Sequence, residues 1–357
     1  MKEIKILGAG ISGLTAAINL AKNGKSVKVF EIKSCVGKGT HPSVNAFVGN
    51  GIAYFEEILK KCNLSDLEYP KNEIKKIRIV TKNNDVVFDD YVKSYLVTRG
   101  KKNSIEYNLY NLAKKYGVEF EFNTKLKEHD VDIVATGPNK SDVVVYGRVY
   151  KNTSFPKDQI IVVRFDKYSP NGWYMYTVPH ENGNVEIINC MATRHSNNAK
   201  KLFIKAIEEL ECFKTSLENA EQLYEISGFG NVKYPKTCVI DGRLYVGEAA
   251  GIQDVLYGYG MHYALLSGKI ASDSIILEKH YDDMWKKELS FEMKKSFAMR
   301  FIVSLFGNKI ADMYITQKIR GSNNIGEKIE NSIINNKYIL EVLFRLELLK
   351  KKITGEW

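Results

Sequence analysis

Apolar and polar positions along the chain change rhythm several times, and each change marks an element. Ile4 to Leu7 is a short apolar run, Leu14 to Lys22 repeats apolar residues at helical spacing, and Val27 to Phe30 is apolar again. The order predicts strand, helix, strand, with Asn23-Gly24 ending the helix. Residues 51 to 70 read as a helix. Ile74 to Tyr91 reads as a hairpin turning at Asn83-Asn84-Asp85, followed by a short strand from Tyr95 to Arg99. A helix is expected from about Ser104 to Tyr116, with strands at Val118 to Asn123 and at Asp132 to Thr136. From Val143 to Cys190 the pattern alternates and is rich in Val, Ile and Tyr, as in an antiparallel sheet. An amphipathic helix follows over 197–212, then strands at Thr237 to Ile240 and Leu244 to Val246 separated by the turn Asp241-Gly242. Beyond residue 280 the pattern is helical throughout.

A chain of 357 residues with 44% hydrophobic and 26% charged positions can bury a large core, and disorder is not the default expectation. No run of about 18 apolar residues suggests a membrane span. The start MKEIKILGAG enters a strand without the small-residue cleavage site of a signal peptide, so the expected location is cytoplasmic. The five cysteines (Cys35, Cys62, Cys190, Cys212, Cys238) form no CxxC pair, and neither a disulfide framework nor a metal site is expected. The formal charge of +10 suits nucleic acid, anionic lipid, a phosphorylated substrate or simply a solvated surface. Lysines are interspersed with glutamates and form no dense cluster before Lys350-Lys351-Lys352, so no nucleic-acid partner is expected.

The first segment carries chemistry. Gly8-x-Gly10-x-x-Gly13 lies between the first strand and the helix, and Glu31 closes the second strand. Gly8 permits a tight turn, Gly10 lets a pyrophosphate approach the backbone, and Gly13 lets helix and strand pack closely. The helix N-terminus offers free N–H groups and a partial positive charge to phosphates. A carboxylate at residue 31 can accept bonds from both ribose hydroxyls of an adenosine. The segment suits NAD or FAD. A second feature far down the chain separates them: in YVGEAAGIQDVLYGYGMHYALLSGKIA, residues 245–271, an acid (Glu248) ends a strand and a glycine loop opens a helix. An extended FAD needs such support along its ribityl chain.

The GAGISG fingerprint with Glu31, Arg99 before a helix, the VDIVATG strand and GEAAG…GYGMHYALLSGKIAS occur in one order. Together they resemble the FAD-dependent oxidoreductases of the para-hydroxybenzoate hydroxylase superfamily, and within it the geranylgeranyl reductase family. YMYTVP, residues 174–179, is similar to that family's YxWxFP substrate-cavity motif. The resemblance covers about residues 1–275 and implies an α/β fold. A Rossmann-type FAD-binding domain (1–50, 92–142 and 236–280) would be interleaved with an antiparallel-sheet substrate domain (51–91 and 143–235), with a helical C-terminal region over 281–357.

The resemblance also implies site residues. Gly8, Gly10, Gly13, Glu31, Arg99, Gly137, Glu248, Gly258, Gly260 and Met261 would contact FAD, with Glu248 standing where the family has an aspartate on the ribityl chain. The loop at Gly258-Tyr259-Gly260 and the helix from Met261 would set N–H groups near the flavin ring. Tyr174, Tyr176 and Tyr257 would hold substrate, or belong to plain core. His41 and His262 are candidate acid–base groups, against the alternatives of a loop histidine and a core histidine. One departure concerns a cysteine that faces the flavin in many members: Pro42 stands there, and Cys35 comes too early. The electron donor would be NAD(P)H or a protein carrier. The expected activity is reduction of carbon–carbon double bonds in a geranylgeranyl or other isoprenoid lipid, of archaeal type. A flavin monooxygenase or halogenase acting on a small aromatic, or a non-catalytic flavin- or lipid-binding protein, fits the same scaffold. Residues 281–357 hold 14 basic and 10 acidic residues. Their final helix suits either packing against the protein or peripheral contact with an anionic membrane face.

Overall fold

The computed structural model describes residues 2–38, 44–47, 51–100, 102–180, 182–320 and 335–355, with backbone alone at 44–47, 51–54 and 90–95. The chain forms two compact units, each gathered from three segments: Met1–Lys71, Val97–Lys140 and Asn231–Met293, and Asn72–Leu96, Ser141–Gly230 and Lys294–Trp357.

The first unit is built on a six-stranded sheet in the order Val239–Ile240, Arg243–Tyr245, Ile133–Val134, Ile4–Leu7, Val27–Phe30, Glu119–Glu121. All neighbours are parallel except the hairpin pair at its edge. Ile6, Val29, Ile133 and Val134 are fully buried, which is why these strands read as continuous apolar runs. The register aligns their carboxyl ends. Leu7 pairs with both Phe30 and Val134, and Val134 pairs with Tyr245. Gly8, Glu31, Ala135 and Val246 therefore emerge along one edge, where ligands bind in open α/β sheets. The helices Ile11–Lys22 and Met261–Ile276 pack on one another and join the core around Leu14, Ile18, Leu265 and Ala271.

The second unit holds a sheet in the order Glu221–Gly230, Val143–Lys151, Val185–Ala192, Met175–Pro179, Gln159–Val163, Lys71–Val80, Asp85–Thr98. Its central pairs are antiparallel, while Lys71–Val80 runs parallel to Gln159–Val163. The helix Ala199–Glu209 lays Phe203 and Ala206 into a core with Ile161, Val163, Met175 and Ile187.

Several boundaries differ from the sequence expectation. Residues 51–71, assigned above to the substrate domain, belong to the first unit, because Phe55, Ile58, Leu59, Leu64 and Leu67 bury in its core. The helical region is not separate. The helix Tyr281–Phe306 gives Tyr281, Trp285, Leu289 and Met293 to the first core, while residues from 294 onward belong to the second unit. The expected helix over 197–212 is two helices, Ala199–Glu209 and Glu211–Leu217, because Leu210 adopts extended backbone between them. The strand Glu221–Gly230 was not foreseen: only Ile226 in it is buried, so it shows no apolar rhythm.

Candidate functional site

The glycine turn after Ile4–Leu7 is built by three unlike constraints. Gly8 has φ +106°, and a Cβ there would lie 2.3 Å from the Ala135 carbonyl oxygen. A Cβ on Gly13 would lie 2.1 Å from the Gly8 carbonyl oxygen. Around Gly10, by contrast, nothing comes within 4 Å of the same position. Two glycines are thus required by packing, and the middle one borders open space where a pyrophosphate would fit. The Ile11–Lys22 helix begins at Gly10 with no side chain capping it and no acid in its first turn. Its N–H donors and positive end are left to a ligand. The helices Ile105–Lys115 and Lys337–Thr354, in contrast, are capped by Ser104 and Asn336.

Glu31 sits under this turn. Its carboxylate accepts from the Ala9 N–H at 2.8 Å and from the Lys33 N–H at 3.0 Å. One acid thus braces the glycine turn and remains at the strand end where a ribose would lie.

The second half of the site comes from the segment after Arg243–Tyr245. Gly247 has φ +57°, a Cβ on it would stand 2.9 Å from Ser12 Oγ, and its N–H donates to Ser267 Oγ at 2.9 Å. The chain then turns so that Glu248 follows directly. Burial pushes the Glu248 carboxyl up to about 7, with the Asn231 backbone N–H and the Arg99 guanidinium opposing that rise. The Asn231 side chain also donates to the Glu248 carbonyl at 3.2 Å and to Asn139 Oδ1 at 3.2 Å. Arg99 is held by an ion pair with Glu106, which is almost wholly buried in the first turn of the Ile105–Lys115 helix. Neither Asn231 nor Glu106 stood out in the sequence. Glu106 sits two residues after the cap Ser104 and reads as an ordinary first-turn acid, and Asn231 carries no local signal.

Gly258 has φ +72°, Gly260 caps the Met261–Ile276 helix, and no side chain caps that helix either. Gln253 donates to the Gly258 carbonyl at 3.1 Å and so shapes the loop. Met261 is buried in the helix's first turn, and Gly137, φ +79°, follows the Ile133–Val134 strand. His262 is pushed down to about 4 by burial, so its imidazole is neutral at neutral pH. Its ring lies 4.1 Å from that of Tyr263. Tyr257 is exposed and stacks on Tyr259 with centroids 5.8 Å apart.

All ten expected cofactor residues fall in the first unit, as do His262 and Tyr257, whereas Tyr174 and Tyr176 belong to the second. Tyr174 is buried just ahead of the strand Met175–Pro179, its ring 5.7 Å from that of Tyr176 and under the Arg164 guanidinium. Neither tyrosine lines a cavity of about 420 Å³ in the second unit, whose walls include Lys151, Phe155, Lys157, Pro179 and His180. Sequence reading also missed the buried pair beside it, His180 Nε2 at 3.1 Å from Glu186 Oε1. His41 and Pro42 lie outside the described residues. Cys35 is exposed, while burial raises the thiol pKa of Cys62, Cys190, Cys212 and Cys238 well above the ordinary range. Among the described residues no group of three or more His, Cys, Asp or Glu side chains is placed to hold a metal ion.

A Rossmann-type dinucleotide unit is thus interleaved along the chain with a sheet unit, with an acid and an uncapped helix returning late, a fold found in flavin-dependent enzymes of known structure. The sequence profile of the NAD(P)-binding Rossmann-like domain matches residues 6–53. The chain is 34% identical over 108 residues to thiamine thiazole synthase of Thermotoga maritima, a match covering 30% of this chain and 38% of that relative, well under half its length. Among solved structures, a geranylgeranyl bacteriochlorophyll reductase-like protein of Thermoplasma acidophilum superimposes with TM-score 0.69 at 15% identity, over 87% of this chain and 90% of that one. The myxobacterial chondrochloren halogenase superimposes with TM-score 0.64 at 13% identity, over 97% and 96%. A flavin-dependent brominase gives 0.62 at 15% identity, over 89% and 92%. Reductase-like and halogenating proteins share this fold alike.

Proposed function

We propose that the protein is an FAD-dependent oxidoreductase that reduces carbon–carbon double bonds of a geranylgeranyl or related isoprenoid lipid. The observation that carries the flavin part is the contrast at Gly8, Gly10 and Gly13: the outer two are blocked by backbone and the middle one faces open space. Bound FAD would supply hydride transfer to the alkene. The chain's own residues do the rest. The Ile11–Lys22 helix and Gly10 hold the pyrophosphate, and Glu31 holds the adenosine ribose. Arg99, fixed by Glu106, and Glu248 hold the ribityl region. Gly258, Gly260 and Met261 present the uncapped start of their helix to the ring, where negative charge is stabilised. His262 is neutral and acts as a hydrogen-bonding group, not as a store of a proton at neutral pH.

The lipid part rests on YMYTVP, whose strand Met175–Pro179 lies inside its sheet with Tyr174 and Tyr176 side by side. The likeness to the reductase-like protein supports it. The electron donor in this reading is NAD(P)H or a protein carrier. The test is anaerobic incubation of dithionite-reduced protein with geranylgeranyl lipids, followed by mass spectrometry. Products heavier by two daltons per reduced bond are expected, and their absence removes the reductase reading. A halogenase or monooxygenase reading is favoured by one observation, the superposition on the chondrochloren halogenase over nearly the whole of both chains. Oxygen-dependent NADPH consumption, coupled to modification of a small aromatic, would replace the first reading with this one.

A further inference from the structure

The helix Lys337–Thr354 carries apolar residues on two opposite faces. The inward face is anchored. Leu340 and Phe344 are buried, the Phe344 ring meets Phe297 at 5.9 Å, and Leu340 packs with Ala298. Lys351 pairs with Asp142 at 2.5 Å, and the fully buried Glu347 pairs with Lys350 at 2.7 Å. Turning this helix over would tear out those contacts, so its outward face is fixed.

That outward face is apolar as well. Tyr338, Ile339, Val342, Leu346, Leu349 and Ile353 are exposed, from 39% at Leu346 to 74% at Tyr338 and Ile353. At about 100° per residue the six fall within one arc of about 100°, with no charged residue inside it. Arg345, itself paired with Glu341, and the exposed Lys352 follow at one edge of the arc, while Lys350 at the other is drawn inward to Glu347. The helix holds five basic residues (Lys337, Arg345, Lys350, Lys351, Lys352) against two acidic ones (Glu341, Glu347). A helix facing only water would carry polar residues there.

We propose that this face lies on the surface of an anionic lipid bilayer, with the apolar stripe at the headgroup boundary and the flanking cations on the phosphates. Charge selects this occupant. The stripe is uncharged, its Arg345–Lys352 rim is cationic, and the chain carries a formal charge of +10. An exposed apolar arc rimmed by Lys and Arg, with an aromatic ring at one end, is the pattern of a helix lying in the bilayer interface. None of the described helices is long and apolar enough to cross a membrane, so the contact is peripheral.

The test is co-sedimentation of the full chain with vesicles of phosphatidylglycerol and phosphatidylcholine in equal parts, against phosphatidylcholine alone. Binding to the anionic vesicles is expected, falling at least tenfold when salt is raised several-fold and at least tenfold in the double variant Val342→Glu, Leu349→Glu. Arg345→Gln with Lys352→Gln should lower it by a smaller factor. Because Val342 and Leu349 face outward, the acidic double variant should melt with the wild type, which separates lost binding from lost folding. Failure to bind anionic vesicles overturns the proposal. So does binding that the acidic variant leaves unchanged, and so does a stable dimer in solution that the acidic variant dissolves without any vesicle binding by the wild type.

Discussion

Gly268 and Ser12 meet with no room for a side chain between them. A Cβ on Gly268 would lie 2.2 Å from the Ser12 carbonyl oxygen, and one on Gly247 would lie 2.9 Å from Ser12 Oγ. The two uncapped helices of the proposed cofactor site are therefore locked at a distance that only glycine permits. Gly268→Val should force them apart. The expected cost is about 3 kcal/mol in urea unfolding, together with loss of co-purifying flavin absorbance.

The three glycines of the turn should separate folding from binding. Gly8→Ala meets a backbone oxygen at 2.3 Å from a positive φ and should destabilise the chain by at least ~2 kcal/mol. Gly10→Val meets nothing and has ordinary backbone angles, φ −83° and ψ −178°. It should keep the wild-type melting temperature while weakening FAD binding at least tenfold. Thermal melts beside flavin fluorescence titrations read both effects.

Glu248 should make stability depend on pH. Its folded pKa is raised to about 7 from an ordinary 4.5, so the ligand-free fold prefers the protonated acid. That contribution is complete below about pH 4.5 and is lost as pH rises through 7. For a partly buried carboxyl the loss is on the order of 2 kcal/mol. Glu248→Gln should flatten this part of the curve, measured by urea unfolding at successive pH values.

FAD should take the proton off. Ribityl hydroxyls donating to Glu248 favour its ionised form, so binding near pH 6.5 should release protons and tighten as pH rises through 7. Calorimetric titrations in two buffers of different ionisation enthalpy count the protons. Glu248→Gln should release fewer, and an unchanged count would remove Glu248 from the ribityl contact.

His262 should show the opposite sign. Its folded pKa is lowered to about 4 from 6.5, so its contribution is present above 6.5 and lost as pH falls toward 4. Turnover should show no titration between pH 5 and 8 that His262→Gln abolishes. The variant should instead remove part of the acid-side loss of stability.

The half of the site near the start of the chain was legible because its physics is local. Strand, glycines, helix and Glu31 lie within one short stretch, and the Gly247 to Met261 segment repeats the same logic. What pairs with these residues was not legible. Glu106 on Arg99 and Asn231 on Glu248 depend on folds of the chain that no local pattern encodes. Edge elements were equally hidden: the strand Glu221–Gly230 is mostly exposed and so lacks the alternation that reveals a strand. Helix patterns located Tyr281–Phe306 but not its division, since Trp285, in the first core, and Phe297, whose ring meets Phe344 in the second unit, are equally apolar.

The sheet order of the first unit sets a timetable for synthesis. Ile133–Val134 lies between Ile4–Leu7 and Arg243–Tyr245, so a nascent chain that has reached Pro235 still exposes the Ile133–Val134 edge. It also lacks Glu248 and the helix that follows. Until then Glu31 can grip the Ala9 amide and keep the glycine turn in shape without its nucleotide. In the proposed reading the FAD site is complete only after Glu248 and the Met261–Ile276 helix have been made, so cofactor loading follows the docking of that sheet's last strand.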